Sequence, residues 1–357
     1  MRVAIIHNLP LPSDPREHWL ARSSEHGSLV TSRYLDASDF GVLEETQLIE
    51  TFLKEGGYET VLFPADDAKE LVDFLTRDRP DFIFNCCETF RGVAPLEMNV
   101  AAIFEILGIP FTGSGALALG MSLNKGVAKA LFQTHGVPTP RWAAFFAEKD
   151  FEAEDRLKFP VIVKPLTEDS SEGIDFNSIV EDRAGLENRV RFLWREFRQP
   201  ALAEEFVDGR EINVAVLAAN PETFITLPIS EIVFEGPAAE GRRVLTYEAK
   251  WFVDSPYYGS SVPRCPAELS PELAEKLRSL AIRACEALQL RDYARVDFRV
   301  RASDDAIFAL EVNPNPDITF DSGFVRAALA SGRTHGGVIR EIMERARERA
   351  LGQSPRS

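Results

Sequence analysis

Two apolar stretches near the end of the chain carry charged and amide side chains at alternate positions. In YARVDFRV, Arg295 and Asp297 alternate with small and apolar residues, and in FALEVNPNPD the same is true of Glu311 and Asn313. Alternation with a period of two is typical of β-strands that bury one face. The prolines that follow Asn313 end the second stretch abruptly, at the kind of strand end where a functional site is often built.

A hairpin of these two strands would bring their polar residues together. If the apolar faces stay on one side, Asp297 lies opposite Glu311 and Arg295 lies opposite Asn313. Two carboxylates in opposed positions repel each other unless a cation lies between them. Carboxylate and amide oxygens suit Mg²⁺, with phosphate oxygens completing its coordination. The alternative is a solvated polar face on a half-exposed sheet, and the metal interpretation is favoured because the polar face runs into the Asn-Pro-Asn-Pro turn.

Bound phosphates would require cations and amides elsewhere in the chain. No GxxxxGK[ST] motif occurs, which excludes P-loop enzymes, and TGSGALALG lacks the third glycine of a dinucleotide fingerprint. Lys164 lies within PVIVKP, where burying a cation is costly unless an anion meets it. The alternative for Lys164 is a lysine at a surface edge. The following TEDSSEGI offers Ser170, Ser171 and Gly173 as a flexible, amide-rich loop over phosphates.

The strands and helices that would position these residues follow two different patterns. Up to about residue 120, strands and helices alternate, which predicts a parallel α/β sheet. Later segments include two strands around the Asp-Gly turn at 208–209, an amphipathic helix over 270–288 and the hairpin. In the second hairpin strand, Phe308, Leu310 and Val312 are expected to share the buried face. We predict an α/β (α+β) chain with domains at 1–120, 121–204 and 205–357.

Composition narrows the classes of function. The 357-residue chain has a net charge of -16, so binding to nucleic acid or to an anionic membrane surface is not expected. Its four cysteines show no zinc spacing, and its histidines form no HExxH motif. No apolar run reaches the ~18 residues of a membrane span. We therefore expect a cytoplasmic protein that acts on small molecules.

Together the motifs resemble those of ATP-grasp enzymes, and most of all the D-alanine–D-alanine ligase family. The resemblance extends over residues 100–330 and is weaker before that. It is carried by GIPFTGSGALALGMSLNK, FPVIVKPLTEDSSEGI, LAEEFVDGREINVAVL, YEAKW, ARVDF and LEVNPNP. The resemblance implies an ATP-grasp fold in which an N-terminal pre-ATP-grasp domain precedes two α+β subdomains that sandwich ATP.

The resemblance also implies a role for each matching residue. ATP would be bound by Lys125, Lys164, Ser170, Ser171, Glu204, Glu205, Phe206, Val207, Glu211 and Lys250. Glu204 to Val207 would face adenine, and Glu211 the ribose. Asp297, Glu311 and Asn313 would bind Mg²⁺, or Mn²⁺ in its place, and catalysis would use Arg295, Lys250, Ser171 and Ser322. Arg295 would stabilise the oxyanion, segments 166–173 and 236–262 would close as lids, and the family commonly forms homodimers.

Several residues depart from the family pattern, and they cluster at the amino-acid subsites. The early Ser-x-Glu, whose glutamate holds the ammonium of the first substrate, is missing. Its candidate replacements are Glu17, Asp39 and Glu44. Trp251 replaces a tyrosine, while Asp169 and Asp317 each replace a glycine. We expect the nucleotide chemistry to be kept and the choice of substrate to have changed.

Three functions therefore remain open from the sequence. The first is an ATP-dependent carboxylate–amine ligase that works through an acyl phosphate and makes D-alanyl-D-alanine or a close dipeptide, a building block of peptidoglycan. The second is an ATP-grasp ligase that acts on another carboxylate. The third is a nucleotide-binding module without catalysis, and the complete set of predicted ATP and metal residues argues against it.

Overall fold

The computed structural model describes residues 1–8, 42–169, 171–236, 243–251, 254–255 and 257–352, with only the backbone at 42–43, 153–156 and 251. The strands are β1 (Arg2–His7), β2 (Glu59–Pro64), β3 (Phe82–Cys86), β4 (Trp142–Phe145), β5 (Val161–Pro165), β6 (Ile179–Val180), β7 (Ala201–Glu205), β8 (Gly209–Asn220), β9 (Thr223–Thr226), β10 (Ser230–Phe234), β11 (Ser261–Arg264), β12 (Tyr293–Arg301) and β13 (Ile307–Asn313). The helices are α1 (Val42–Glu55), α2 (Ala68–Arg77), α3 (Glu97–Leu107), α4 (Ala116–Leu123), α5 (Lys125–Thr134), α6 (Arg183–Glu196), α7 (Tyr247–Trp251), α8 (Pro271–Ala287), α9 (Gly323–Ala330) and α10 (His335–Gly352).

The N-terminal part forms the predicted parallel α/β sheet. Its strand order is β2-β1-β3, and both pairings are parallel. Strand β1 is buried almost throughout because helices cover both faces of such a sheet. Helix α1 ends at Glu55, and Gly57 follows with a φ of 82°, a left-handed conformation that glycine adopts without strain.

Two further sheets follow, and the Asp-Gly turn connects them. The four-stranded sheet has the order β4-β7-β5-β6, and the larger sheet has the order β11-β10-β8-β12-β13 with β9 paired to β8. Strands β7 and β8 thus flank the turn at 208–209 and enter different sheets. The predicted domain boundaries at residues 120 and 204 stay a prediction.

The β12–β13 hairpin has the predicted register at its polar positions. Arg295 pairs with Asn313 and Asp297 with Glu311, and a register shift after Asp297 makes Leu310 an extra residue in β13. A β-bulge of this kind reverses the alternation of inward and outward side chains beyond it.

Because of the bulge, the buried face of β13 differs from the predicted one. Ile307, Ala309 and Val312 are buried, whereas Phe308 and Leu310 are only partly buried. The expectation that Phe308, Leu310 and Val312 share one buried face was therefore wrong for the first two. The physical reason is the extra residue, which simple alternation cannot reveal.

One apolar core joins the two ends of the chain. Val3 and Ile5 of β1 and Leu53 of α1 belong to the same buried cluster as Phe324 of α9 and Ile339 of α10. Sequence reasoning missed the short helices α4 and α9, each of eight residues. In the described ranges, no helix combines the length and the apolar character that crossing a membrane requires.

Candidate active site

A cavity of about 480 Å³ lies between the four-stranded sheet and the larger sheet. Side chains of β5 and β7 line one side of the cavity, and side chains of β8, β12 and β13 line the other. The predicted site residues that line it are Lys164, Ser171, Glu204, Glu205, Phe206, Val207, Glu211, Lys250, Arg295, Asp297 and Glu311. Residues separated by more than 100 positions in the sequence thus meet in one cleft.

A buried ion-pair triad lies beneath this cavity. Nζ of Lys129 lies 2.5 Å from Oε2 of Glu204 and Nζ of Lys164 lies 2.6 Å from Oε1, and all three side chains are almost completely buried. Burial alone would raise the pKa of Glu204, but the two lysines lower it. The carboxylate therefore stays ionised and holds Lys164 in place on β5, where the sequence predicts contact with phosphate.

The two lysines of the triad respond differently to their surroundings. Burial lowers the pKa of Lys129 to about 8, because Glu204 offsets only part of the desolvation. Burial also acts against the charge of Lys164, but Glu204 and Glu311 together raise its pKa above the usual value. Lys164 therefore keeps its charge where a phosphate would bind. Lys129, which the sequence analysis did not single out, supports it from α5.

Positive groups converge on Glu311 at the inner end of the cavity. Nζ of Lys125 lies 3.7 Å from Oε2 of Glu311 and also donates to the carbonyl oxygen of Glu168. Burial would raise the pKa of Glu311, but Lys125, Lys164, Lys250 and Arg295 outweigh it and lower this pKa to about 2. Burial and Arg295 lower the pKa of Lys250.

Asp297 is held by two neighbours. Arg295 donates to both of its carboxylate oxygens at 2.9 Å, and Nδ2 of Asn213 donates to Oδ1 at 2.6 Å. Asn213 lines the cavity as well and was missed by the sequence analysis. Its position on β8, directly opposite Asp297, could have been found only by knowing that β8 pairs with β12.

The predicted metal ligands present a suitable donor set for Mg²⁺. Asp297 and Glu311 occupy opposed positions and Asn313 lies one pair further along, so two carboxylates and one amide share one side of the hairpin. Hard oxygen donors of this kind fit a divalent cation whose remaining positions are taken by phosphate oxygens. No cluster of three or more His, Cys, Asp or Glu side chains suited to a metal occurs among the described residues. The three predicted ligands would therefore need phosphate oxygens to complete the coordination of the metal.

The outer end of the cavity carries the residues predicted to meet the nucleoside. The backbone N–H of Phe206 donates to Pro160, and Glu205 accepts the backbone N–H of Lys158 at 3.1 Å. Glu211 accepts a hydrogen bond of 2.8 Å from Arg299, which also donates to two backbone carbonyls. Arg299 thus fixes Glu211, the predicted ribose contact. Sequence reasoning did not assign it a role.

A second cavity of about 170 Å³ adjoins the first beyond Glu311. Lys250, Arg295 and Glu311 line both cavities, while Lys125 and Asn313 line only the second. The substituted family positions Asp169 and Asp317 also line it. The departures from the family pattern at Asp169 and Asp317 thus lie beside Glu311 and Asn313, two of the predicted metal ligands.

The remaining predicted residues have other surroundings. Ser322 is buried, and its hydroxyl caps α9 by accepting the N–H of Val325 at 3.2 Å. Asp317 is exposed and accepts the N–H of Thr319 at 2.7 Å, which stabilises the turn after β13. Glu44 is exposed at the start of α1. Ser170, Glu17, Asp39 and the side chain of Trp251 lie outside the described residues.

Comparison with known proteins shows where this arrangement belongs. The family model described as "D-ala D-ala ligase C-terminus" matches residues 131–344, which is more than half of the chain. This chain is a member of the D-alanine–D-alanine ligase family. It is therefore an ATP-grasp enzyme of the type that forms C–N bonds, and the recognition and the fold class expected from the sequence are confirmed.

Relatives of this family cover most of the chain. A D-alanine–D-alanine ligase of Ralstonia nicotianae is 34% identical over 68% of this chain and 69% of its own length. The uncharacterized protein y4sG of Sinorhizobium fredii is 36% identical over 84% of this chain and 86% of its own length.

Solved structures of family members share the fold at lower sequence identity. The D-alanine–D-alanine ligase of Bacillus anthracis complexed with ATP has a TM-score of 0.72 at 21% identity, covering 99% of this chain and 100% of that one. The VanG D-Ala:D-Ser ligase of Enterococcus faecalis has a TM-score of 0.69 at 17% identity, covering 97% and 99%.

Proposed function

We propose that the protein is an ATP-dependent ligase that joins a carboxylate to an amine through an acyl phosphate, with D-alanine–D-alanine or close dipeptide ligation as the reference reaction. The observation that carries the proposal is that Nζ of Lys125 lies 3.7 Å from Glu311, while Lys164, Lys250 and Arg295 line the same cavity as this carboxylate. Four cations around one carboxylate at the junction of two cavities suit a polyphosphate and its metal on one side and an amino acid on the other. The Bacillus anthracis relative, whose structure is complexed with ATP, supports ATP as the nucleotide.

In this proposal the side chains divide the reaction between them. Lys164, held by Glu204, and Lys125 orient the phosphates so that a substrate carboxylate oxygen attacks the γ-phosphorus and ADP leaves. Arg295 and Lys250, which line both cavities, then lie beside the acyl carbon. An amine attacks this carbon, Arg295 stabilises the resulting oxyanion, and inorganic phosphate leaves.

Asp297, Glu311 and Asn313 would hold Mg²⁺, which neutralises charge on the β- and γ-phosphates when it is bound. Arg295 occupies both oxygens of Asp297 in the present arrangement. Oδ1 of Asp297 accepts from both Arg295 and Asn213, whereas Oδ2 accepts from Arg295 alone, so Oδ2 is the oxygen that would bind the metal.

The test is a phosphate-release assay with ATP, Mg²⁺ and a panel of D- and L-amino acids, combined with hydroxylamine to trap an acyl phosphate as the hydroxamate. We expect phosphate release that depends on an amino acid, formation of a dipeptide, and loss of both in Lys164→Met. A protein that binds ATP and yields neither phosphate nor hydroxamate across the panel would be a nucleotide-binding module instead.

A further inference from the structure

Arg299 lies at the outer end of a row of polar side chains on β12. It follows Arg295 and Asp297 at alternate positions, so the three side chains share one face of the strand, and all three line the larger cavity. Glu211, the predicted ribose contact, lies directly opposite Arg299 on β8. The proposed reaction uses Arg295 and Asp297 and gives Arg299 no part beyond holding Glu211.

The guanidinium of Arg299 is bound to three acceptors at once. The residue is 4% exposed, and its Nη1 donates to the carbonyl oxygen of Gly209 at 3.2 Å. Its Nη2 donates at 2.8 Å both to Oε2 of Glu211 and to the carbonyl oxygen of Arg243. The ring of Phe206 lies 5.9 Å from Cζ. Because the guanidinium is a rigid planar fork, few orientations satisfy all these contacts together.

The bond from Nη2 leaves the second oxygen of Glu211 open to a ligand. Among the described residues no group donates to Oε1, and Glu211 lines the larger cavity. A ribose hydroxyl is the donor that the predicted role of Glu211 would bring there. A hydroxyl on Oε1 would fix the plane of the carboxylate, and this plane sets the direction of the bond between Oε2 and Arg299.

The third acceptor of Arg299 begins the segment that leads to Lys250. This segment covers residues 243–250, and its second residue, Val244, lines the larger cavity together with Lys250. The backbone N–H of Lys250 donates to the carbonyl oxygen of Thr246 at 3.3 Å, so the lysine is tied to the segment as a whole. Where Lys250 lies therefore depends on where the segment is held, and the carbonyl oxygen of Arg243 is one of the atoms that hold it.

We propose that Arg299 is a positioning residue that couples ribose binding at Glu211 to the placement of Lys250 at the phosphates. The coupling follows from a shared nitrogen, since Nη2 holds Glu211 and Arg243 together. A turn of the guanidinium that breaks one of these bonds displaces the other. This inference rests on the nucleotide-binding part of the proposed function, and it assigns the ribose hydroxyls an effect on the reacting end of the nucleotide.

The test compares nucleotides that differ by one hydroxyl. ATP, 2′-deoxy-ATP and 3′-deoxy-ATP are bound with Mg²⁺ and without an amino acid, and calorimetry establishes affinity and saturation. Hydrogen exchange then reports the protection of residues 243–250. We expect the analogue that lacks the hydroxyl bound by Glu211 to bind roughly tenfold more weakly, as for a hydrogen bond to a charged group. Even at saturation, it should protect this segment less than ATP does.

Arg299→Lys separates coupling from a merely structural role. It keeps a positive charge beside Glu211, but a single ammonium group cannot reproduce the fork that holds all three acceptors. ATP should still saturate the variant, which shows that it is folded, while ATP and both analogues should protect residues 243–250 to the same extent. Arg301→Lys is the matched control. Arg301 lies two residues further along β12, is exposed and pairs with Asp304, so this variant should behave like the wild type.

Two outcomes would overturn the inference. One is equal protection of residues 243–250 by all three nucleotides in the wild type, a comparison that needs no variant. The other is a difference in protection that persists in Arg299→Lys. Phosphate release judges the ligase proposal separately. Turnover without any effect of the ribose hydroxyls on protection would retain the ligase and reject the coupling. An effect on protection without phosphate release across the amino-acid panel would do the reverse.

Discussion

Glu311 is the carboxylate on which four cations of the site act. Because four cations lower its pKa to about 2, it remains ionised at neutral pH, as a metal ligand must be. We expect Glu311→Gln to reduce turnover at least tenfold, which corresponds to about 1.4 kcal/mol or more of barrier. Steady-state phosphate release measures this effect. Asp304→Asn, in the exposed turn of the same hairpin, is the matched control, and an unchanged rate in Glu311→Gln would contradict the ligand assignment.

Glu45 gives a prediction about pH and stability. Burial, followed by the nearby Asp317, raises its pKa from 4.5 to about 8. The folded state thus keeps a proton that the unfolded chain loses near pH 4.5, so this residue's contribution to stability is lost as the pH rises from 4.5 to 8.

Glu45→Gln removes this penalty. Relative to the wild type, the variant should have a higher Tm above pH 8. This gain should shrink towards pH 4.5, where the side chain of residue 45 is uncharged in the folded wild type as well as in the variant. Thermal unfolding followed by circular dichroism at both pH values checks it. A Tm difference that does not vary with pH would show that Glu45 does not titrate as described.

At the scale of elements, the β12–β13 hairpin shows which strand contacts can be predicted from alternation in the sequence and which cannot. Alternation was sufficient to pair Asp297 with Glu311 because both positions lie on the side of the bulge away from the hairpin turn. It failed at Phe308 and Leu310 because a bulge depends on how β13 packs, which no local pattern records. Leu310 consequently lines the larger cavity.

The Lys129–Glu204–Lys164 triad joins α5 to the strands β5 and β7. Glu204→Gln would leave two buried ammonium groups without a carboxylate, so we expect a loss of about 3 kcal/mol in unfolding free energy. Urea denaturation measures this loss, and weaker binding of an ATP analogue should accompany it because Lys164 is no longer held. Glu205→Gln, one residue along the same strand, should change stability by less than about 1 kcal/mol. Equal effects of the two variants would mean that the triad contributes little.

At the scale of the whole molecule, a buried ion pair ties the last helix to the rest of the chain. Arg349 donates to both oxygens of Asp292 at 2.9 Å and to the carbonyl oxygen of Phe111 at 2.7 Å. Asp292 in turn accepts the N–H of Gly113 at 2.8 Å. The contacts connect α10, the start of β12 and the segment after α3.

We expect Arg349→Met to lower the unfolding free energy by about 3 kcal/mol, because it leaves the buried Asp292 without its cation. Arg349, Asp292 and Phe111 do not line the larger cavity, so the affinity for an ATP analogue should hardly change. Arg347→Met is the control on the same helix, since Arg347 pairs with Glu344 at the surface. Urea denaturation measures the stability, and titration with the ATP analogue measures the affinity. Unchanged stability, or a large loss of affinity, in Arg349→Met would contradict this prediction.

The sequence by itself indicated most of the strands and helices and the kind of chemistry. Alternation placed β12 and β13, the prolines after Asn313 marked the end of β13, and the unusual positions of Lys164 and Glu311 indicated a phosphate and metal site. These features are local, because periodicity and side-chain type act over a few residues.

Only the tertiary structure decided which groups share a cavity. Asn213, Arg299 and Lys129 support the site from other elements, and Glu97 meets Asn315 across 218 positions. Such contacts depend on how sheets and helices pack, so no spacing in the chain reveals them. The cost of burying a charge is likewise set by the completed fold.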